Sequence, residues 1–325
     1  MATNPPKQLH LWAFLQGIGH YPAGWRYKGA APRSVFDVDY YAAIGALCER
    51  GRFDAIVFGD QLNGRDAAGR TPARLAIPTL DPFTLLAVIA STTSRIGLVA
   101  TVSTTYNEPV ALAEKFAALD VLSRGRSGWN IVTSAHPATP WNFGAQLLPD
   151  KALRYQRAEE FVQLACELWA GAGGQGQGGA QVEHDGRFFQ LKAALAAPTL
   201  PQGRPALVQA GQSGDGRDFA ARTAEAIFCP ASTLEAGKAF RDDIRARTAR
   251  FGRDPDGVKI MPGLSFVLAD TEAAAIAKDE ELLGLADMAL CIEYLGESTG
   301  VNLTPMNPDA PIQLCLLYTS PSPRD

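Results

Sequence analysis

Cysteine and histidine are scarce in this chain, at five and four of 325 residues. The cysteines are scattered, with no C-x-x-C pair and no Cys/His spacing of a metal site. That excludes a disulfide framework and a structural zinc fold, and points to reduced thiols in the cytoplasm. No apolar run approaches the ~18 residues of a membrane span. The opening MATNPPKQLHLW lacks the charged-then-apolar pattern of a signal peptide. Positive charge is not in excess: 30 Lys and Arg against 34 Asp and Glu give a formal charge of −4. The basic footprint of a nucleic-acid binder is therefore missing. No internal repeat is visible.

What is present is an ordinary globular composition, 46% hydrophobic and 20% charged. The length suits one large α/β barrel or two smaller domains. Strand-like runs are expected at Leu9–Phe14, Phe53–Phe58, Ile96–Val102, Ser127–Thr133, Ala206–Gln209, Ala226–Cys229 and Val258–Leu268. Helical spacing fills the gaps at Tyr40–Arg50, Pro82–Thr92, Pro109–Leu122, Arg154–Trp169, Gly216–Glu225 and Leu234–Phe251. Alternation of this kind predicts a parallel sheet. Seven such strands without a topological break favour a closed barrel over an open doubly wound sheet. Gly171–Gly179 (GAGGQGQGG) is expected to be a flexible insertion and not a phosphate loop, because no strand precedes it and no GK[ST] follows.

In a barrel, functional groups sit at the C-terminal ends of strands. Polar residues gather there: Asp60, Ser103-Thr104-Thr105-Tyr106, Asn130 with Thr133-Ser134, and the segment Leu207–Arg217 (LVQAGQSGDGR). In that segment Gly211 and Gly214 are expected to turn the backbone with positive φ and expose N–H groups. Ser213 adds a hydroxyl, and the following helix aims its N-terminus at the same place. Such a set makes an anion site; a glycine turn with a Ser cap is the other reading. Asp60 either bonds a ring or caps a turn, and Thr104 either faces a ligand or is a plain strand residue. Asn130 lies in an apolar strand, where an amide needs a partner. Tyr155 reads as a core aromatic with its hydroxyl at the rim. His20 is the one histidine at an expected strand end, either functional or a solvated loop residue.

Leu119–Ser134 (LDVLSRGRSGWNIVTS), Asn142-Phe143-Gly144, Arg154–Phe161 (RYQRAEEF) and Leu207–Ala221 (LVQAGQSGDGRDFAA) together resemble the luciferase-like monooxygenases. The nearest branch is that of the nitrilotriacetate, dibenzothiophene-sulfone and long-chain alkane monooxygenases. The resemblance runs from about Leu9 to about Leu268. It implies a TIM-type (β/α)8 barrel, usually a homodimer or dimer of dimers. It implies FMN, already reduced by a separate NADH:FMN reductase, and O2, with insertion of one oxygen atom into a small organic substrate through a C4a-(hydro)peroxyflavin. Carried over by motif, Asp60 and Thr104 contact the flavin, and Tyr155 and Ser213, with Gly211 and Gln212 beside it, hold the cofactor. His20 and Asn130 are the candidates for hydrogen bonding to the peroxide or the substrate. A deazaflavin-dependent oxidoreductase and a non-catalytic flavin-binding barrel are the alternatives.

Two positions depart from the pattern. Lys151 stands where a histidine is usual, and His136 falls one place late, with Ala135 in the usual position. The resemblance fades after about Asp270, whereas relatives continue with an insertion, an eighth strand and a final helix. Leu314–Asp325 (LCLLYTSPSPRD) has no barrel periodicity, and its Ser-Pro-Ser-Pro blocks regular structure. It resembles translated adapter sequence. The expectation is a barrel domain over 1–313 without its eighth strand, followed by a non-native tail over 314–325. Its two open edges would invite aggregation.

Overall fold

Apolar runs bounded by turn residues become strands, and the amphipathic stretches between them become helices. The computed structural model describes residues 8–17, 19–21, 23–60, 62, 79–136, 139–173, 179–299 and 303. The first half contains β1 (Trp12–Leu15), α1 (Val38–Arg50), β2 (Ala55–Phe58), α2 (Pro82–Thr92), β3 (Gly97–Ser103), α3 (Pro109–Ser123), β4 (Ser127–Val132) and α4 (Lys151–Gly171). The second half contains β5 (Val182–Asp185), β6 (Gln190–Ala193), β7 (Ala206–Gln209), α5 (Gly214–Thr223), β8 (Ala226–Cys229), α6 (Leu234–Arg250), β9 (Lys259–Pro262), α7 (Glu272–Gly284) and α8 (Met288–Thr299). No described helix is long and apolar enough to cross a membrane.

Seven strands form one parallel sheet in the order β1-β2-β3-β4-β7-β8-β9; β5 and β6 pair as a separate antiparallel hairpin. Side chains alternate between two faces. Large residues on one face pack against the helices: Ile56, Phe58, Leu98, Val102, Trp129 and Ile131 are all buried there. Small and β-branched residues line the other: Ala55, Val57, Val99, Val208 and Ala226, with Trp12 and Met261 against them. The register puts Val99 beside Gly128 and Thr101 beside Asn130. Gly128 has no room for a side chain, since its Cβ would stand 3.0 Å from Val99 Cγ2.

The sheet is curled into a barrel wall. β1 and β8 are five places apart in strand order, which is roughly 24 Å in a flat sheet at about 4.8 Å per strand. The rings of Phe14 on β1 and Phe228 on β8 nevertheless meet edge to face at 6.4 Å. Among the described residues, β1 and β9 are the two edges.

Carboxylates secure the end of the barrel away from the site by accepting backbone N–H groups just before or at the start of strands. Asp54 takes Leu11 N at 2.8 Å, and Glu225 takes Leu207 N at 2.7 Å. Glu49 takes Ser94, Arg95 and Ile96. At the other end the helices start on side-chain caps. Asp37, Asp81, Asp150, Ser213, Thr233 and Thr271 each accept a backbone N–H from the first turn of their helix.

Several boundaries differ from the sequence expectation. The last strand was expected to run to Leu268 but ends at Pro262. Gly263 N reaches Cys229 O at 2.9 Å, and then Pro230 ends the neighbouring strand, so nothing remains to pair with. Leu264, Phe266 and Leu268 stay exposed at 82%, 67% and 72%. The helices expected from Arg154 and Gly216 start earlier, at Lys151 and Gly214, because Asp150 and Ser213 are the caps. The expected insertion begins within α4, whose last residue is Gly171, and Ala180 N returns to Gly171 O at 2.7 Å. The β5–β6 hairpin, α7 and α8 were not foreseen. Residues 314–325 and 174–178 lie outside the described residues.

Candidate functional site

The C-terminal strand ends carry the polar residues, and they fall into two groups. The first is built on the turn from β7 into α5. Gln209 is buried at the end of β7; its amide nitrogen donates to Ile131 O at 3.3 Å, and its Oε1 accepts Gly211 N. Gln212 donates through Nε2 to Ala210 O at 3.0 Å and Phe228 O at 3.2 Å. Ser213 Oγ accepts Gly216 N at 3.1 Å and caps α5. The N–H groups that open α5 have no partner inside the helix, so its positive end faces this turn.

The reason for the glycines is not the expected one. Neither Gly211 nor Gly214 has positive φ, and the Gly211 N–H is bonded to Gln209 and not exposed. The requirement is close approach. A Cβ on Gly211 would stand 2.7 Å from Gly216 Cα, and a Cβ on Gly216 would stand 2.7 Å from the Tyr155 hydroxyl. Nothing lies within 4 Å of a Cβ on Gly214. Tyr155 itself is buried on α4, with its ring against Phe219 at 5.8 Å. The structure therefore brings Tyr155, Gly211, Gln212 and Ser213 together, and adds Gln209 and Gly216. Sequence reasoning named Gln209 only as a polar strand end and Gly216 only as a helix start.

The second group lies on β2, β3 and β4. Asn130 points from β4 to the inner wall, where its Nδ2 donates to Thr101 Oγ1 at 3.0 Å. Its Oδ1 is buried and has no hydrogen-bond partner. Thr101 also lines a cavity of about 120 Å³, together with Asp60, Phe83, Tyr106 and Phe143. The Tyr106 ring stacks on Phe143 at 4.4 Å. Its hydroxyl is buried without a partner. Burial raises the Tyr106 pKa above its usual value, against the opposing pull of Arg154. Thr104 is fully buried just past β3, and its backbone N–H reaches Val132 O at 2.9 Å.

His20 stands apart at an exposed rim position. Its Nε2 is 2.8 Å from Phe14 O and its ring is edge-on to Phe14 at 4.9 Å. A carbonyl only accepts, so Nε2 carries the proton and Nδ1 is left as the acceptor when the ring is neutral.

The ends of β3 and β4 are bound by a network that the sequence did not reveal. Ser134 takes a left-handed conformation, φ 53°, unusual for a residue with a side chain. Its carbonyl accepts from Arg154, whose buried guanidinium also reaches Pro149 O at 3.0 Å. Ser134 Oγ bonds Ser103 Oγ at 2.7 Å, and Thr105 Oγ1 bonds Thr133 O at 2.6 Å. No cluster of metal-ligating side chains occurs among the described residues.

A parallel β/α barrel with polar groups at its strand ends is a frame shared by many enzymes, so family membership needs a comparison. The family model described as luciferase-like monooxygenase matches residues 17–298. The chain belongs to the luciferase-like monooxygenase family. It is 38% identical to N-acetyl-S-(2-succino)cysteine monooxygenase of Bacillus subtilis (strain 168), over 95% of this chain and 73% of that protein. It is also 38% identical to nitrilotriacetate monooxygenase component A of Aminobacter aminovorans, over 94% of this chain and 72% of the relative. A crystal structure of riboflavin lyase with modified FMN and riboflavin superposes with a TM-score of 0.86 at 29% identity, covering 94% of this chain and 73% of that one. The chain is thus an oxidoreductase of this family, on the family's TIM-barrel frame.

Proposed function

We propose that this chain binds reduced FMN and uses O2 to insert one oxygen atom into a small organic substrate. The observation that carries the reading is Asn130 Oδ1, a buried amide oxygen on the inner wall with no partner. Such an atom costs about 1–3 kcal/mol, a cost that is recovered when a ligand supplies the missing donor.

The residues present fit a flavin phosphate. Ser213 and the first N–H groups of α5 form an anion-favouring end. Gly211 and Gly216, without side chains, let the turn and the start of α5 pack closely against each other and beside the Tyr155 hydroxyl. These residues would hold the phosphate, with Gln212 fixing the turn. Asp60 and Thr104 would meet the ring system, and Asn130 would accept a hydrogen bond from the ring or the substrate. Reduced FMN, when bound, supplies the two electrons that activate O2. The barrel's part is to orient the substrate and exclude water: Val57, Val99 and Val208 line the inner wall, and the Phe14 and Phe228 rings meet there. His20 would contact the substrate from the rim through Nδ1. One oxygen atom enters the substrate and the other leaves as water.

The reduced flavin would come from a separate NADH-dependent reductase, in keeping with the designation "component A" of the nitrilotriacetate relative. A homodimer or dimer of dimers belongs to the same reading. The test is turnover under ¹⁸O2 with a generic flavin reductase and a panel of aminocarboxylates, thioethers, sulfones and alkanes. Substrate-dependent ¹⁸O incorporation is expected. Flavin binding without oxygen uptake would instead support a non-catalytic barrel, and hydride transfer from a reduced deazaflavin the dehydrogenase alternative.

A further inference from the structure

Arg217 lies in the first half of α5, one turn after the Ser213 cap, and neither the motif reading nor the proposed reaction uses it. Its Nε donates to Gln212 O at 2.9 Å, and its Nη1 donates to Asp243 Oδ2 at 2.9 Å. The guanidinium rests over the Phe240 ring at 4.9 Å. Asp243 is held in turn by Arg247 Nε at 2.8 Å, and Arg247 reaches Gly214 O at 3.2 Å. Arg217 on α5, with Asp243 and Arg247 on α6, thus links the two helices to the carbonyls of Gln212 and Gly214.

The geometry of the peptide gives this contact a consequence. The bond between Gln212 and Ser213 is trans, as no cis peptide occurs in the described chain. In a trans peptide the C=O and the following N–H point in opposite directions. Fixing Gln212 O towards Arg217 thus turns the Ser213 N–H away from α6. Two residues before, Ala210 O is held by Gln212 Nε2. Without Arg217 the Gln212–Ser213 plane is free to rotate and to present its carbonyl, a negative dipole end, where an anion would sit.

We propose that Arg217, braced by Asp243, is a positioning residue that sets the Ser213 N–H for the 5′-phosphate of the flavin and so makes the site discriminate FMN from riboflavin. This rests on the FMN reading above. Arg217 acts through the turn: its Nε holds Gln212 O and its Nη1 is braced by Asp243. A lysine cannot replace it, since a single ammonium does not offer two N–H groups in a fixed plane.

The experiment is fluorescence titration of the purified full chain with FMN and with riboflavin, for the unmodified protein and for Arg217→Gln, Arg217→Lys and Asp243→Asn. Thermal melts without flavin accompany each titration. The unmodified protein should prefer FMN by at least about tenfold, the effect of one to two charge-assisted hydrogen bonds. Arg217→Gln should lower FMN affinity about tenfold and leave riboflavin affinity within about twofold. Arg217→Lys should recover only part of the preference, and Asp243→Asn should lower it in the same direction by a smaller factor.

An unchanged FMN-to-riboflavin ratio in Arg217→Gln overturns the proposal. Equal losses for both flavins overturn it too, since they mark a general loss of structure. So does an intact ratio in Asp243→Asn beside a collapsed one in Arg217→Gln, which makes Arg217 a direct phosphate ligand. An unmodified protein without any preference for FMN sinks the cofactor reading itself, a distinct result.

Discussion

The Tyr155 hydroxyl occupies the space beside Gly216 so closely that a Cβ there would lie 2.7 Å from it. Helix α4 and the start of α5 meet at that point, and the contact fixes how far the phenol can reach. Gly216→Ala should displace the hydroxyl or the helix start. Flavin fluorescence titration is expected to show at least a tenfold loss of FMN affinity, about 1.4 kcal/mol. Gly214→Ala is the control, because nothing lies within 4 Å of its Cβ position. Equal effects of the two substitutions would contradict this account.

Asn130 should separate stability from function. Asn130→Leu removes the buried orphan oxygen and also the donor to Thr101 Oγ1. The two changes oppose each other, so the melting temperature of the flavin-free protein should move by only a few degrees. Substrate-dependent oxygen incorporation should fall by about two orders of magnitude or more, the scale seen when a positioned polar group is lost. A large drop in melting temperature with turnover preserved would make Asn130 a packing residue.

Acid stability should depend on Glu49. Burial pushes its carboxyl up, but the backbone N–H groups of Arg95, Ile96 and Ser94 outweigh it and hold the pKa at about 2. A depressed folded-state pKa stabilises the protein above the unfolded value, about 4.3 for Glu. That contribution disappears as the pH falls from about 4 through about 2. Glu49→Gln should therefore melt below the unmodified protein at pH 7, and the gap should close as the pH approaches 2. Circular-dichroism melts across this range provide the check; a constant gap would assign the effect to packing.

Arg154 and Ser134 should be energetically coupled. Ser134 holds φ 53° while its carbonyl accepts from Arg154. Arg154→Gln should destabilise by roughly 2–3 kcal/mol, the range for a lost hydrogen bond from a charged group. Ser134→Gly takes the left-handed conformation without strain, so it should stabilise by about 1 kcal/mol while Arg154 holds that conformation and by less in the double variant, where residue 134 can relax. Urea unfolding of the two single variants and the double variant measures the coupling. Strict additivity would show that Arg154 does not restrain Ser134.

The barrel was legible because it depends on patterns with a range of a few residues. Short apolar runs such as Ala55–Phe58, closed by Gly59-Asp60, told strand from helix, and the order of strands and helices then told parallel from antiparallel. The turn after β7 was legible as a glycine turn with a Ser213 cap opening a helix, yet its glycines were assigned the wrong physical reason. Gly211 and Gly216 are set by contact with each other and with Tyr155, 56 residues from Gly211, and no local pattern encodes that distance. Arg217 was hidden for the same reason: its partner Asp243 belongs to the next helix. The β5–β6 hairpin escaped because its strands, VEHD and QLKA, contain no apolar run and bury no residue fully. Pro230 was visible, but only the register β8–β9 shows that it cuts the last strand short.

Trp129 and Trp169 sit fully buried in one aromatic cluster, 6.2 Å apart, with Phe116 and Phe161 against Trp129. Trp129 also neighbours Asn130 in the chain, so its indole lies on the outer side of the wall whose inner side carries the unpaired amide. Indole emission overlaps flavin absorption, and a flavin in the barrel mouth would stand within energy-transfer range of both tryptophans. The two buried indoles thus serve as an optical gauge: their blue-shifted share of the emission should report an intact wall, and quenching of that share without a red shift a flavin on the other side.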